Sequence, residues 1–133
     1  MKICIRTPKP KEFEAINNLI CSAFNIKPRP LNFDFFNHPW IYTFIAVEDE
    51  KVIGTATLHL IQKSNRKMGL IEDVVVDSTY QNKGIGKKLI NEIIAKAAQL
   101  DCYKTILNSA VENKIFYEKL GFNHEQLQLT YRH

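Results

Sequence analysis

The chain has 133 residues, of which 45% are hydrophobic and 24% charged, and its formal net charge is +4. This length is typical of one domain with its own core, and no apolar run approaches the length of a membrane span. The mild positive charge suits an anionic small molecule better than a nucleic acid, because nucleic-acid binders usually carry a longer basic stripe. We therefore expect a single domain, residues 1–133, with neither a nucleic acid nor a membrane as partner.

The cysteines and histidines do not indicate a metal site. Cys4, Cys21 and Cys102 are odd in number and lack the spacing of metal ligands. We expect them to be buried free thiols in a reducing compartment, which predicts a cytoplasmic protein. The four histidines share no ligand spacing either, and His59, which lies inside a predicted strand, is expected to be a hydrogen-bonded structural residue.

The hydrophobic pattern predicts elements in the order β-α-(loop or short α)-β-β-β-α-β-α-β. Their predicted bounds, in chain order, are 2–6, 11–24, 32–37, 41–47, 52–61, 70–76, 87–100, 103–107, 112–119 and 127–131. The nearly continuous apolar run at 70–76 is typical of a central strand that is buried on both faces. The order predicts an α/β (α+β) fold with one strand–helix–strand crossover from 70 to 107.

The two helices in the second half of the chain have distinct signals. The helix at 87–100 carries one apolar stripe, formed by Leu89, Ile90, Ile93, Ile94, Ala97 and Ala98. The helix at 112–119 is followed by Gly121, a residue suited to a left-handed helix cap.

The turn between the central strand and the long helix, with Gly84 and Gly86, predicts an anion site. Amides at a helix start lack intrahelical partners, the helix dipole favours negative charge, and glycine lets a ligand approach the backbone. The turn lacks the Walker pattern, and a dinucleotide fingerprint needs a third glycine where this chain has Leu89. On the glycine spacing alone, a turn that merely caps the helix remains an alternative.

The longer string QNKGIG at 81–86 follows a strand that begins IED, and it has the pattern Q/R-x-x-G-x-G/A. This combination resembles the acetyl-CoA signature of the GNAT superfamily of N-acetyltransferases, and the resemblance covers 70–132, about half of the chain. It implies the GNAT fold, in which helices flank a mixed, mostly antiparallel central sheet. It also implies acetyl-CoA as the cosubstrate, and we expect no metal.

Within the superfamily, the strings IEDVVVDSTYQNKGIGKKLI, CYKTIL and ENKIFYEKLGF are most similar to glucosamine-6-phosphate N-acetyltransferases. This similarity implies acetyl transfer to the amine of glucosamine 6-phosphate by direct attack on the thioester in a ternary complex. It further implies a homodimer and a place in amino-sugar biosynthesis, on the UDP-GlcNAc pathway. Two alternatives remain: an acetyltransferase for another small amine or peptide amine, and a CoA-binding sensor without turnover.

The resemblance implies cofactor-binding residues on the central strand, the glycine turn and the last helix. They are Val74, Val75, Val76, Gln81, Asn82, Lys83, Gly84, Ile85, Gly86, Lys87, Asn113, Phe116, Tyr117 and Lys119. The backbone amides of the three valines would serve the oxyanion and the pantetheine arm if their strand splays from its neighbour. Tyr117 is expected to protonate or stabilise the leaving thiolate. The alternative for Tyr117 is a packed tyrosine whose hydroxyl bonds a backbone carbonyl.

For the acceptor, the resemblance implies the acidic pair Glu72 and Asp73, which are also the catalytic candidates. Adjacent residues on a regular strand point to opposite faces, so both side chains reach one substrate only if a bulge turns the strand. Asn108 stands where the family usually has an acidic residue, and an amide cannot accept the proton of an ammonium group. This leaves Glu72 or Asp73 acting through water, or an amine that arrives neutral.

The phosphate of the acceptor has two candidate ligands. Arg132 matches the family arginine that binds the sugar phosphate across a dimer interface, and a guanidinium suits phosphate geometrically. Lys104 is a further candidate. The turn between the strands at 52–61 and 70–76 is shorter than in the most similar family, in a region that helps to shape the sugar pocket.

Overall fold

The computed structural model describes residues 2–133, which are built around one five-stranded sheet. The elements are β1 (Cys4–Arg6), α1 (Phe13–Ala23), α2 (Phe33–Asn37), β2 (Ile41–Glu48), β3 (Lys51–Gln62), β4 (Lys67–Val76), α3 (Ile85–Gln99), β5 (Thr105–Leu107) and α4 (Lys114–Lys119). Short 3-10 turns at Pro10–Glu12, Ser78–Tyr80 and Val111–Asn113 precede α1, α3 and α4. Every element predicted before residue 122 is present, with its ends shifted by a few residues.

The strands follow the order β1-β2-β3-β4-β5, so each strand lies beside the next one along the chain. The first four are antiparallel to their neighbours, whereas β4 and β5 are parallel and are joined through α3. The mixed, mostly antiparallel sheet and its single crossover are therefore confirmed. The hairpin between β2 and β3 turns at Asp49 and Glu50, whose φ values of 46° and 65° suit a tight two-residue turn.

Helices cover both faces of the sheet. On the face that α3 covers, the buried side chains are Phe44, Ala46, Ile53, Ala56, Leu58, Ile71, Ile85, Leu89, Ile90, Ile93 and Ala97. On the opposite face, called the α1 face below, Phe13 and Ile16 of α1 pack with Ile45 and Val47. The alternation along β2 is the period of two that a strand requires. Ala98, at the margin of the predicted stripe, is exposed.

The prediction of a last strand at 127–131 was wrong for the single chain. Residues 123–133 form neither helix nor strand, and Leu127, Leu129 and Tyr131 are 80%, 91% and 84% exposed. An alternating pattern indicates which residues suit a strand, but a strand forms only where a neighbour accepts its backbone hydrogen bonds. No strand in residues 2–133 pairs with this segment.

The three cysteines are free, but the expectation that they are buried was wrong. Cys4 is exposed, and Cys21 and Cys102 are partly buried. Within residues 2–133, no helix is both long enough and apolar enough to cross a membrane.

Glu12 is a buried carboxylate at the start of α1, with only 6% of its surface exposed. The Arg6 guanidinium donates two hydrogen bonds to it, of 2.7 and 2.8 Å, and the Lys9 amide donates a third of 2.8 Å. Chiefly through the Arg6 bonds, the pKa of Glu12 falls to about 2 from an ordinary 4.5. The pair ties β1 to α1.

We expect Glu12→Gln to lower the free energy of unfolding at pH 7 by roughly 2–3 kcal/mol, because an amide cannot replace the ion pair. A depressed carboxyl pKa stabilises the folded state above the unfolded pKa, so this advantage should disappear as the pH falls from 4.5 to about 2. Urea unfolding across this pH range measures the difference. Glu14→Gln, at an exposed site on the same helix, is the control and should cost little. If Glu12→Gln lowers the free energy of unfolding equally at high and low pH, packing rather than charge is responsible.

Candidate active site

A bulge interrupts β4 at Asp73. Between the pairs Thr57–Glu72 and Thr55–Val75, one residue of β3 stands opposite two of β4. Asp73 has a φ of 53°, in the left-handed region that aspartate tolerates better than most residues. The bulge breaks the strict alternation that would point Glu72 and Asp73 to opposite faces. It lies where a shared role of the two side chains requires it.

β4 and β5 separate partway along their length. Their parallel pairing ends at Ile71 with Leu107, and β4 continues to Val76. Beyond Ile71, the backbone of β4 pairs with β3 on one side and with no strand on the other, within residues 2–133. An unpaired strand edge can bind an extended ligand arm through the hydrogen bonds that a strand would make. We call this unpaired stretch of the β4 edge the splay; the predicted role of the Val74–Val76 amides requires such an open edge.

The turn that follows β4 reaches α3 through left-handed residues. Asn82 has a φ of 63° and Gly84, the N-cap of α3, has a φ of 78°. In the described chain, no side chain caps this helix, so its first amides are open to a ligand. A Cβ on Gly84 would meet nothing within 4 Å, and it is therefore the left-handed φ that requires glycine here.

Helix α4 lies beside this turn. A Cβ on Gly86 would stand 3.6 Å from Cζ of Phe116 and 4.0 Å from Cγ2 of Val76. The end of β4, the start of α3 and α4 therefore meet at Gly86. Gly121 closes α4 with a φ of 102°, as predicted.

Tyr117 is half-buried on α4, with its ring edge-on to Phe116 at 5.0 Å and to Phe122 at 5.9 Å. In residues 2–133, the tyrosine hydroxyls that hydrogen-bond another residue are those of Tyr80 and Tyr103. The Tyr117 hydroxyl does not bond a backbone carbonyl, which argues against the alternative of a purely packed tyrosine. Burial raises the pKa of Tyr117, so its phenol keeps its proton to higher pH.

The α1 face carries polar side chains on the three strands next to the splay. His59 contacts Phe35 of α2 and therefore lies on this face, and its cross-strand neighbours there are Leu70 and, beyond it, Ile106. Residues two positions from these share the face, because strand side chains alternate. The resulting set, called the polar patch below, consists of His59 and Glu72 within the strands and of Lys104 and Asn108, which directly flank β5.

Asp73 adjoins the polar patch at the bulge. Burial raises the pKa of this half-buried carboxyl, and the charge of His59 partly opposes the shift. A carboxyl whose pKa is raised is a better proton acceptor than an ordinary one. The His59 side chain makes no hydrogen bond to another of residues 2–133, and its ring packs against that of Phe35 at 5.9 Å. The expectation of a hydrogen-bonded histidine side chain was therefore wrong.

The remaining predicted residues differ in their exposure. The exposed ones that line the turn, α3 and α4 are Gln81, Asn82, Lys83, Lys87, Asn113 and Lys119. Val75 and Ile85 are buried, so only their backbone groups can meet a ligand. Gln81 donates a hydrogen bond of 3.3 Å to the carbonyl of Val76, which ties the turn to the end of β4.

Arg132 is not brought to the polar patch by a strand of its own chain. It lies in the exposed segment 123–133, whose side-chain contacts include a Gln128–Thr130 hydrogen bond and a Tyr131–His133 ring contact. Residues 2–133 hold no group of three histidine, cysteine or acidic side chains arranged to bind a metal.

The sequence analysis named Lys104 but missed three residues that gather beside it: Lys63, Arg66 and Tyr103. Lys63 donates a hydrogen bond of 2.9 Å to the Tyr103 hydroxyl. The available signal was the basic composition of the short turn between β3 and β4, but Tyr103, which Lys63 contacts just before β5, is 40 positions away along the chain.

Comparisons with known proteins agree on the family. The sequence model of the acetyltransferase (GNAT) family matches residues 12–122. Curated glucosamine 6-phosphate N-acetyltransferases are similar to this chain. That of Arabidopsis thaliana is 37% identical over 67% of this chain and 64% of its own length. That of Trypanosoma brucei brucei is 40% identical over 59% and 56%, and that of Schizosaccharomyces pombe is 37% identical over 72% and 89%. The chain thus covers less than two thirds of the first two relatives.

Solved structures match over nearly the whole chain. A Trypanosoma brucei acetyltransferase has a TM-score of 0.89 at 28% identity, covering 98% of this chain and 99% of its own. The glucosamine-6-phosphate N-acetyltransferase of Arabidopsis thaliana has a TM-score of 0.84 at 26% identity, with 99% of both chains covered. The chain has the GNAT fold and belongs to the acetyltransferase (GNAT) family.

Proposed function

We propose that the protein transfers the acetyl group of acetyl-CoA to the amine of glucosamine 6-phosphate, giving N-acetylglucosamine 6-phosphate. The observation that carries this proposal is the splay of β4 from β5 beyond Ile71, which leads directly into the uncapped start of α3. The strand edge can bind the extended pantetheine arm of acetyl-CoA, and the helix terminus that follows it can bind the pyrophosphate of the same molecule. The names of the similar proteins support the acceptor.

The cosubstrate would lie along the splay. Amides of Val74–Val76 would bond the pantetheine arm and the oxyanion, and amides from Gly84 to Lys87 would hold the pyrophosphate. Gln81, Asn82 and Lys83 would line the turn around it, and Asn113, Phe116 and Lys119 would contact the ligand from α4. This arrangement would hold the thioester carbonyl next to the bulge at Asp73.

The reaction would be a direct attack in a ternary complex. The acceptor ammonium loses one proton to water held by Glu72 or Asp73, and its nitrogen lone pair then attacks the thioester carbon. The acylated nitrogen releases its second proton to the same water, which leaves the neutral amide. The C–N bond forms as the C–S bond breaks, and Tyr117 donates its proton to the departing thiolate. The raised pKa of Asp73 suits the first role, and the raised pKa of Tyr117 keeps its phenol protonated, as the second role requires.

The acceptor would lie on the polar patch, with Glu72 and Asn108 at the sugar and Lys104 at the phosphate. Arg132 would reach the phosphate of a second copy, and we therefore also propose a homodimer. The exposed Leu127, Leu129 and Tyr131 support it, because an alternating apolar segment without a partner suits pairing with another chain. Sedimentation at the monomer mass of 15.4 kDa would overturn the dimer. The free cysteines agree with a cytoplasmic enzyme of amino-sugar synthesis.

Thiol release from acetyl-CoA tests the function. We expect fast release with glucosamine 6-phosphate and slow or no release with glucosamine, spermidine and a short peptide. Asn108 and the short turn before β4 favour a second candidate, an acetyltransferase for another amine, and release with one of the other three would support it. CoA binding without release from any of the four would instead favour the sensor.

A further inference from the structure

The turn between β3 and β4 is short and held in one conformation by its own hydrogen bonds. The Lys63 amide donates to the Arg66 carbonyl at 2.8 Å. The Gln62 side-chain amide donates to the carbonyls of Lys63 and Arg66, at 2.8 and 3.1 Å. The basic side chains at the two ends of this turn therefore start from a fixed backbone.

These side chains converge on Tyr103, the residue before Lys104. The Lys63 ammonium lies 5.5 Å and the Arg66 guanidinium 4.9 Å from the centre of the Tyr103 ring, and the Lys104 ammonium lies 5.5 Å from it. Tyr103 is 45% exposed, so solvent reaches the group. We call Lys63, Arg66, Tyr103 and Lys104 the basic cluster.

The basic cluster is not neutralised by the protein. Among residues 2–133, the ion pair that forms is Arg6–Glu12, at a different site, and no carboxylate lies within 4.0 Å of the three cations. The pKa of Tyr103 is lowered, first by the Lys63 hydrogen bond and then also by Arg66 and Lys104. Three unpaired cations held around one phenol favour a ligand with two negative charges.

The basic cluster adjoins the polar patch, since both contain Lys104. Lys104 and Asn108 flank the two ends of β5 and are four residues apart, a span of about 13 Å for an extended backbone. The four-carbon stem of a lysine and a hexose ring together can bridge this span. Under the proposed function, an acceptor whose amine lies at Glu72 would direct its far end towards the basic cluster.

We propose that Lys63, Arg66 and Tyr103 join Lys104 in binding the phosphate of the acceptor, and that they set its preference over an unphosphorylated amine. In this proposal the short turn between β3 and β4 supplies two of the phosphate ligands, Lys63 and Arg66. The inference rests on the proposed function for the identity of the acceptor, but the phosphate site itself can be tested without turnover.

The first experiment compares kcat and KM for glucosamine 6-phosphate and for glucosamine. Arg66→Gln and Lys63→Gln should each raise KM for the phosphorylated sugar by roughly 10- to 100-fold, with kcat and the glucosamine reaction unchanged. Lys96→Gln is the matched control, since Lys96 also lies over a tyrosine ring, Tyr42 at 5.0 Å, but on α3. An unchanged KM in both cluster variants, with an active wild type, overturns the phosphate site and leaves the proposed function standing.

The second experiment uses inorganic phosphate and needs no activity. Bound phosphate offsets the cations and should raise the pKa of Tyr103, which ultraviolet titration of the protein against Tyr103→Phe reports. Arg66→Gln should weaken this response and Lys96→Gln should not. The response in a protein that does not acetylate glucosamine 6-phosphate would support the site and overturn the proposed acceptor alone. An absent response in the folded wild type would overturn the site.

Discussion

Gly84→Val is expected to raise the dissociation constant for CoA by at least roughly 100-fold, a loss of about 2.7 kcal/mol or more. Gly84 has a φ of 78°, which a β-branched residue cannot adopt without strain, so the turn must rearrange. The amides at the start of α3 then lose the orientation that a pyrophosphate requires. Isothermal titration with CoA measures the change, and the free cofactor suffices because no acceptor is needed.

Gly121→Val is the control for the effect of backbone strain alone. Gly121 also has a left-handed φ, of 102°, and a Cβ on either glycine would meet nothing within 4 Å. The two variants should therefore lose comparable stability in thermal unfolding, whereas only the Gly84 variant should lose CoA. Intact affinity in a folded Gly84→Val protein would remove the turn from the cofactor site.

The sequence predicted those elements whose own residues specify them. The period of two in β2 and β3 and the stripe of α3 locate these elements, because each buries one face against a neighbour that the pattern implies. The alternation at Leu127–Tyr131 has the same form but gave no strand, since its pairing depends on a neighbour that residues 2–133 do not supply. Pairing is a property of two segments, and one segment's pattern cannot specify it.

The site divides in the same way. The glycine turn and Tyr117 are contiguous with motifs, so sequence located them. The bulge at Asp73 and the end of pairing at Ile71–Leu107 arise from how β4 meets β3 and β5. The basic cluster joins residues 40 positions apart through the parallel pairing of β4 with β5. Such junctions carry no local signal, because the residues that meet are ordinary in their own segments.

Tyr117→Phe is expected to lower kcat by roughly 10²- to 10³-fold while the dissociation constant for CoA changes by less than about threefold. The ring keeps its edge contacts with Phe116 and Phe122, so the substitution removes the hydroxyl and little packing. No described residue bonds that hydroxyl, so its loss leaves no protein group unpaired and its effect reports on the ligand. Stopped-flow thiol release measures kcat, and titration measures affinity.

The pH dependence separates a proton donor from a packing residue. Burial raises the pKa of Tyr117 above its ordinary 10, and a donor must be protonated, so wild-type kcat should fall only above pH 10. In Tyr117→Phe, the small residual rate should not show this alkaline decline. Tyr42→Phe is the control, since Tyr42 is also half-buried against the α3 side of the core but lies outside the site. If kcat in Tyr117→Phe equals that of Tyr42→Phe, the thiolate takes its proton from water, and the structural role of Tyr117 is to wall the splay between β4 and β5.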